Sequence, residues 1–104
     1  MPYRVVFTPE AEDQVVSLYR YIAEAAAPAI AKRFTDAIVA YCEEFREFPR
    51  RAIRRDDIRP GLHITNYKGR VVIAFAVEAD VVSIISIFYG GRDYETLLQS
   101  DLDD

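Results

Sequence analysis

Hydrophobic and polar positions change period along this chain. Tyr3 to Thr8 is rich in aromatic and β-branched residues and predicts a short strand. Thr8-Pro9-Glu10 then reads as a helix start: a hydroxyl cap, proline in the first turn and an acid at the positive end of the dipole. Ala11, Val15, Leu18 and Ile22 follow at helical spacing and mark one buried face. The stretch 25–28 interrupts that pattern, and Pro28 opens a second helix because proline disfavours helical geometry in the residue before it. Its stripe is Ile30, Phe34, Ala37, Ile38, Tyr41 and Phe45, and Phe48-Pro49 ends it. Two helices joined by so short a break form an antiparallel hairpin. Residues 50–60 have no period and many charges, and predict a loop.

From Leu62 the period becomes that of strands, over 62–67, 70–78 and 81–89. Lys68-Gly69 and Ala79-Asp80 occupy two-residue turns, which set the register by arithmetic. Tyr67 then faces Arg70, and Glu78 faces Val81. One sheet face collects Leu62, Ile64, Val71, Ile73, Phe75, Val77, Val82, Ile84 and Phe88, interrupted by Asn66 and Ser86. That is the expected core face, covered by the helical hairpin. The other face collects His63, Thr65, Tyr67, Arg70, Val72, Ala74, Ala76, Ser83, Ile85, Ile87 and Tyr89. Here Val72, Ile85 and Ile87 form an apolar patch, and Tyr67, Arg70 and Tyr89 its aromatic and cationic rim. Such patches mark contact sites. The competing reading is that the C-terminal tail, or a second copy of the chain, folds over it. In this register Ile87→Asp leaves the fold intact and weakens partner binding. The fold class is therefore α+β: an N-terminal strand, an antiparallel helix hairpin on one face of an antiparallel sheet, and a short C-terminal helix or tail in which Leu97, Leu98 and Leu102 dock.

Composition narrows the chemistry. The 104 residues suit one domain, 1–104, with a single core. One cysteine, Cys42, excludes an internal disulfide and a cysteine-based metal site, and its helical position suits a small buried apolar residue. No long apolar run predicts a membrane helix, and the N-terminus has no secretory pattern, so a cytoplasmic protein without membrane contact is expected. The net charge of -4 disfavours generic nucleic-acid binding. Arginine outnumbers lysine 11 to 2, and five arginines fall within 50–59. Guanidinium groups there pair with carboxylates or phosphates, either a partner's or the neighbouring Asp56 and Asp57. Metal ligands, a phosphate-binding glycine loop and a serine nucleophile motif are not evident, so no cofactor, metal or catalytic residue is assigned.

The order of these elements, with the opening Tyr3-Arg4-Val5-Val6-Phe7-Thr8-Pro9-Glu10-Ala11, Phe48-Pro49 before the arginines, Arg59-Pro60-Gly61-Leu62, Tyr67 and the ending Ile87-Phe88-Tyr89-Gly90-Gly91-Arg92-Asp93, resembles the RelE/ParE superfamily of bacterial toxins, and its ParE branch in particular. His63, Tyr89 and Gly91 depart from the residues many ParE-like chains carry at those places. The resemblance implies a toxin of a type II toxin–antitoxin module that inhibits DNA gyrase by protein–protein contact. It also implies a ParD-like antitoxin as partner, a higher-order hetero-oligomer with that antitoxin, and contact with DNA only through it.

On that reading Val72, Ile85, Ile87, Tyr67, Arg70 and Tyr89 meet the antitoxin, joined by Arg50, Arg51, Arg54 and Arg55, and Arg92, Asp93 and Tyr94 contribute to target inhibition. The alternative is a RelE-like, ribosome-dependent mRNA endonuclease. Its metal-free chemistry needs a group to activate the 2′-hydroxyl, a proton donor and cations at the phosphate. The candidates are His63, Lys68, Arg70, Arg92, Tyr89 and Tyr94. A third reading is a scaffold without toxicity.

Overall fold

The computed structural model describes residues 2–47, 49 and 52–90. Strand β1, Arg4–Phe7, leads into helix α1, Pro9–Ala25, and helix α2, Pro28–Glu43, which closes with a 3-10 turn over Glu44–Arg46. Strands β2, Ile53–Arg54, β3, Leu62–Tyr67, β4, Val71–Glu78, and β5, Val81–Tyr89, follow. The expected C-terminal helix or tail, Phe48 and Leu97, Leu98 and Leu102 lie outside the described residues. The five strands form one sheet in the order β1-β5-β4-β3-β2, antiparallel except where β1 runs parallel to β5. The segment expected as loop thus contributes β2, which pairs Ile53 with Ile64 and Arg54 with His63.

Local chemistry explains the helices. The Thr8 hydroxyl accepts the Ala11 N–H at 3.1 Å and caps α1, while Pro9 and Pro28 stand at the first positions of their helices, where no backbone donor is needed. Thr8 Oγ1 also donates to the Ile85 carbonyl at 3.1 Å, so one hydroxyl ties the helix start to the sheet. Thr8→Ala is expected to lower stability by about 1–2 kcal/mol, checked by urea denaturation. On α2 the buried line is Ala31, Thr35, Ile38 and Cys42; Ile30 is 48% exposed, so the stripe is rotated from the expected one.

The helices cover a core of Leu18, Ile38, Cys42, Phe45, Val71, Ile73, Phe75, Val82, Ile84 and Ile87. Phe45 and Phe75 stack at its centre with ring centroids 4.4 Å apart. The expected faces of β4 therefore hold, but those of β3 and half of β5 do not.

Two single-residue bulges cause the difference. At the β3–β4 connection Lys68 and Gly69 take φ of 53° and 71°, and the Arg70 N–H donates to the Tyr67 carbonyl at 3.3 Å, as in the expected two-residue turn. The ladder, however, pairs Tyr67 with Val71 and leaves Arg70 as an extra residue. Every side chain of β3 is thereby turned over. His63, Thr65 and Tyr67 lie on the helix side, opposite Phe75, Ile73 and Val71, and Leu62 and Ile64 face away. In β5, Phe75 pairs with Ile84 but Ala74 pairs with Ser86, so Ile85 is the extra residue. Beyond it the phase inverts: Ile87 and Tyr89 point at the helices and Phe88 points away. The Ala79-Asp80 turn matches expectation, with Glu78 opposite Val81 and Ala79 at φ 52°.

The second bulge is secured from α1. β1 accompanies β5 only from Val81 to Ile84, leaving the later backbone of β5 without a strand on that side. Gln14 Oε1 fills the gap, accepting the Ile87 N–H at 2.6 Å. Gln14→Ala strands this part-buried donor and is expected to cost about 1–3 kcal/mol, read as a lowered denaturation midpoint with an unchanged slope.

Candidate partner-binding surfaces

Three surfaces can serve recognition. The first is an aromatic end of the helix layer. Tyr89 sits between Tyr21 and Phe34, with centroids 6.1 and 6.0 Å away, the Phe34 contact being edge-on. Tyr67 packs on Tyr41 at 4.9 Å, and the Tyr41 hydroxyl lies 3.2 Å from Thr65 Oγ1. Tyr67 and Tyr89 thus belong to the helix side and not to the opposite face, and Arg70 stands in the turn and not in a strand row. Tyr89 walls a recess of about 540 Å³ with Gln14, Leu18, Tyr21 and Ile87. Phe34 walls another, of about 330 Å³, with Ile30, Arg33, Tyr67 and Lys68. A groove of about 490 Å³ lies where Phe7, Glu12, Val15, Val16 and Val39 meet. Val16 is 47% exposed beside Val15, which packs against the core.

The second surface is the sheet face away from the helices. Val72 and Ile85 are half-buried there, as the alternation predicts. Their neighbours Leu62, Ile64, Ala74 and Phe88 are buried, with Ile58 packing on them from the loop before β3, so the part of this face open to a partner is confined to Val72, Ile85 and the residues around them. Ile87 is not among them: it is 5% exposed and lies in the core, because the Ile85 bulge reverses it. Among the described strand residues its charged groups are Arg4 and Glu78, both paired with Val81 at the end near the Ala79-Asp80 turn, and its other polar groups are Asn66, Ser83 and Ser86. The Ser86 hydroxyl is buried without a hydrogen-bond partner.

His63 is likewise on the helix side. It is 6% exposed, its ring is stacked on Phe75 at 5.3 Å and 13°, and Nδ1 lies 3.1 Å from the Gly61 carbonyl. A histidine held like this packs the core edge and is closed to a phosphodiester. Burial also pushes the Cys42 thiol up to about 12, with the Glu43 carboxylate adding to the effect, so this group stays a neutral, apolar filler.

The third surface is the arginine loop. Arg55 grips Asp57 with two nitrogens, Nε at 2.9 Å and Nη2 at 2.8 Å, and Arg54 Nε meets Asp56 at 2.8 Å. Asp56 Oδ1 also accepts the Gly61 N–H at 2.8 Å. Both cations expected to meet a partner are thus committed to their own loop, and Arg50 and Arg51 lie outside the described residues. The Gly61 N–H and then Arg54 hold the Asp56 carboxyl below the usual carboxylate range, and Arg55 does the same for Asp57. Groups with depressed values hold the loop above the ordinary carboxylate pKa and release it as pH falls through their folded values. A carboxyl-carbon NMR titration should therefore show both aspartates titrating below the usual carboxylate range, with the Gly61 amide shifting in step with Asp56. Asp56→Asn should remove that coupled shift.

Residues 5–94 match the family model of the ParE toxin of the type II toxin–antitoxin system parDE. The chain belongs to this family. It is a toxin of a type II toxin–antitoxin system. Among solved structures it is similar to a chain of the chromosomal ParDE system from P. aeruginosa, with TM-score 0.75 and 16% identity over 85% of this chain and 96% of that one. It is also similar to a chain of the RelBE2 toxin–antitoxin complex from Mycobacterium tuberculosis, with TM-score 0.63 and 19% identity over 86% and 99%. At such identities the likeness is one of fold. No curated protein sequence matches the chain. Among the described residues of this ParE-family chain no helix is long and apolar enough to cross a membrane, and no three His, Cys, Asp or Glu side chains converge as a metal site. Arg92, Asp93 and Tyr94 lie outside the described residues.

Proposed function

We propose that this ParE-family toxin inhibits DNA gyrase by protein–protein contact in the cytoplasm. A ParD-like antitoxin silences it by lying along the helix hairpin and its aromatic end, in a larger complex through which alone it reaches DNA. The observation that carries a binding role over a nuclease role is the chemistry of the sheet. The one histidine is buried against Phe75, and on the face away from the helices the only charged groups among the described strand residues are Arg4 and Glu78, both beside Val81 at one end. RNA cleavage without a metal needs a base, an acid and cations converging on one phosphate. Arg92, Asp93 and Tyr94 are the residues proposed to contribute to gyrase inhibition.

A supercoiling assay with purified gyrase tests this. Supercoiling is expected to stop at excess toxin, while mRNA in a translation extract stays intact. Active gyrase together with cut mRNA would establish the RelE-like activity instead. Arg92→Ala/Tyr94→Ala should lower inhibition about tenfold or more while leaving antitoxin affinity within about twofold, as for contacts at a separate interface. Equal inhibition by this variant and wild type would remove the tail from the mechanism.

A further inference from the structure

The recess between α2 and the β3–β4 turn combines two chemistries. Its floor is Phe34, Ala37 and Tyr67, with the half-exposed Ile30 at the lip, enclosing about 330 Å³. Its rim carries Arg33 from α2 and Lys68 from the turn, the latter with Nζ 5.5 Å from the Tyr67 ring centroid. Neither cation forms an ion pair among the described residues. One residue away on α2 the contrast is plain, since Lys32 is matched by Asp36 at 2.7 Å. Arg54 and Arg55 in the loop are matched too. Arg70, at the end of the same turn, adds a third exposed cation to this end of the sheet. The chain as a whole is acidic, with a net charge of -4, whereas the charged groups around this apolar hollow are cations. An anionic segment is drawn to such a rim.

We propose that this recess receives a bulky apolar side chain from a partner segment whose flanking residues are acidic, the apolar group seated on Phe34 and Tyr67 and the carboxylates paired with Arg33 and Lys68. The inference rests on the toxin–antitoxin reading only in taking the antitoxin as that partner. It specifies the chemistry the partner must bring, which family membership does not.

The test uses the whole chain and a fluorescein-labelled peptide of leucine and glutamate, with a second peptide bearing glutamine in place of every glutamate. Fluorescence anisotropy should show the acidic peptide binding wild type about tenfold more tightly than Arg33→Glu/Lys68→Glu, and about tenfold more tightly than the glutamine peptide binds. Added salt should narrow both gaps. Amide shifts on binding should concentrate at Phe34, Ala37 and Tyr67. Both substitutions are at exposed positions, and a matched thermal midpoint confirms that the fold is retained. Equal affinity for the two proteins, equal affinity for the two peptides, or shifts confined to another surface would each overturn the site. So would preferential binding of a polyuridine strand that the same double variant abolishes, because the cations would then serve nucleic acid. Growth arrest on expression of wild type is scored separately: arrest without peptide binding removes this inference and leaves the toxin, whereas binding without arrest does the reverse.

Discussion

Ile87→Asp is expected to unfold the protein and not merely to loosen a partner. The side chain lies in the core, opposite Ile73 on β4 and near Leu18 of α1. Removing a buried isoleucine costs about 2–5 kcal/mol, and a carboxylate in its place adds the penalty of an unpaired buried charge. A total of at least about 4 kcal/mol is expected, against native stabilities of about 5–15 kcal/mol. Urea denaturation followed by circular dichroism should find the variant largely unfolded or with a midpoint displaced far downward. Val72→Asp supplies the contrast. Val72 is half-buried on the face away from the helices, so the same charge there should cost less than half as much. If Ile87→Asp kept the wild-type midpoint while Val72→Asp lost it, the bulge at Ile85 would be misplaced. The inversion matters for function as well. Loss of partner binding in an Ile87 variant would report unfolding, so partner contacts are better probed at Tyr21, Arg33 or Lys68, which are exposed.

Phe75→Ala is expected to cost about 3–5 kcal/mol. Phe75 is fully buried, stacks on Phe45 at 4.4 Å on one side and carries the His63 ring at 5.3 Å on another. It joins the 3-10 turn after α2, β3 and β4 in one contact set, so the cavity left by truncation has walls on separate elements that cannot all close together. Phe75→Leu retains most of the volume and should recover more than half of the loss. The readout is the difference in urea midpoints at constant slope. The loosened stack should also expose the His63 ring, making its imidazole protons exchange-broadened in the variant. A loss under about 1 kcal/mol would mean that Phe75 does not organise the core.

What was legible in the chain had local causes. Thr8 and Pro9 set the start of α1 with groups at most three residues apart, and Pro28 set the start of α2 through its own ring. Lys68-Gly69 and Ala79-Asp80 turn where expected because positive φ is a property of the turn itself. The alternation of β4 places Val71, Ile73 and Phe75 against the helices. The local pairing of Arg55 with Asp57 follows from residues two apart.

The register beyond each bulge was not legible, and the candidate surface moved with it. Counting outward from a two-residue turn assumes that no residue is skipped, and a bulge at Arg70 or Ile85 has no signature in neighbouring residues. Arg70 is released to solvent because Tyr67, Thr65 and His63 find partners under α2: Tyr41 for the first two and Phe75 for the third. Ile85 is skipped where Thr8 receives no strand beyond it and donates to its carbonyl, and where Gln14 takes the next free donor at Ile87. These partners lie 12 to 77 residues away in the chain. The expected rim of Tyr67 and Tyr89 thereby became the aromatic end of the helix layer.

Apart from β2, which was expected as loop, the amino-acid order alone determined which segments are helix and strand, where the chain turns, and the family to which it belongs, since each depends on side-chain type over a few residues or on the succession of elements. Only the tertiary structure decided which face of β3 and of the end of β5 meets the helices. A strand with bulky apolar groups on both sides can be buried either way, and the choice falls to distant hydroxyl, amide and aromatic groups that reach it only once the chain has folded.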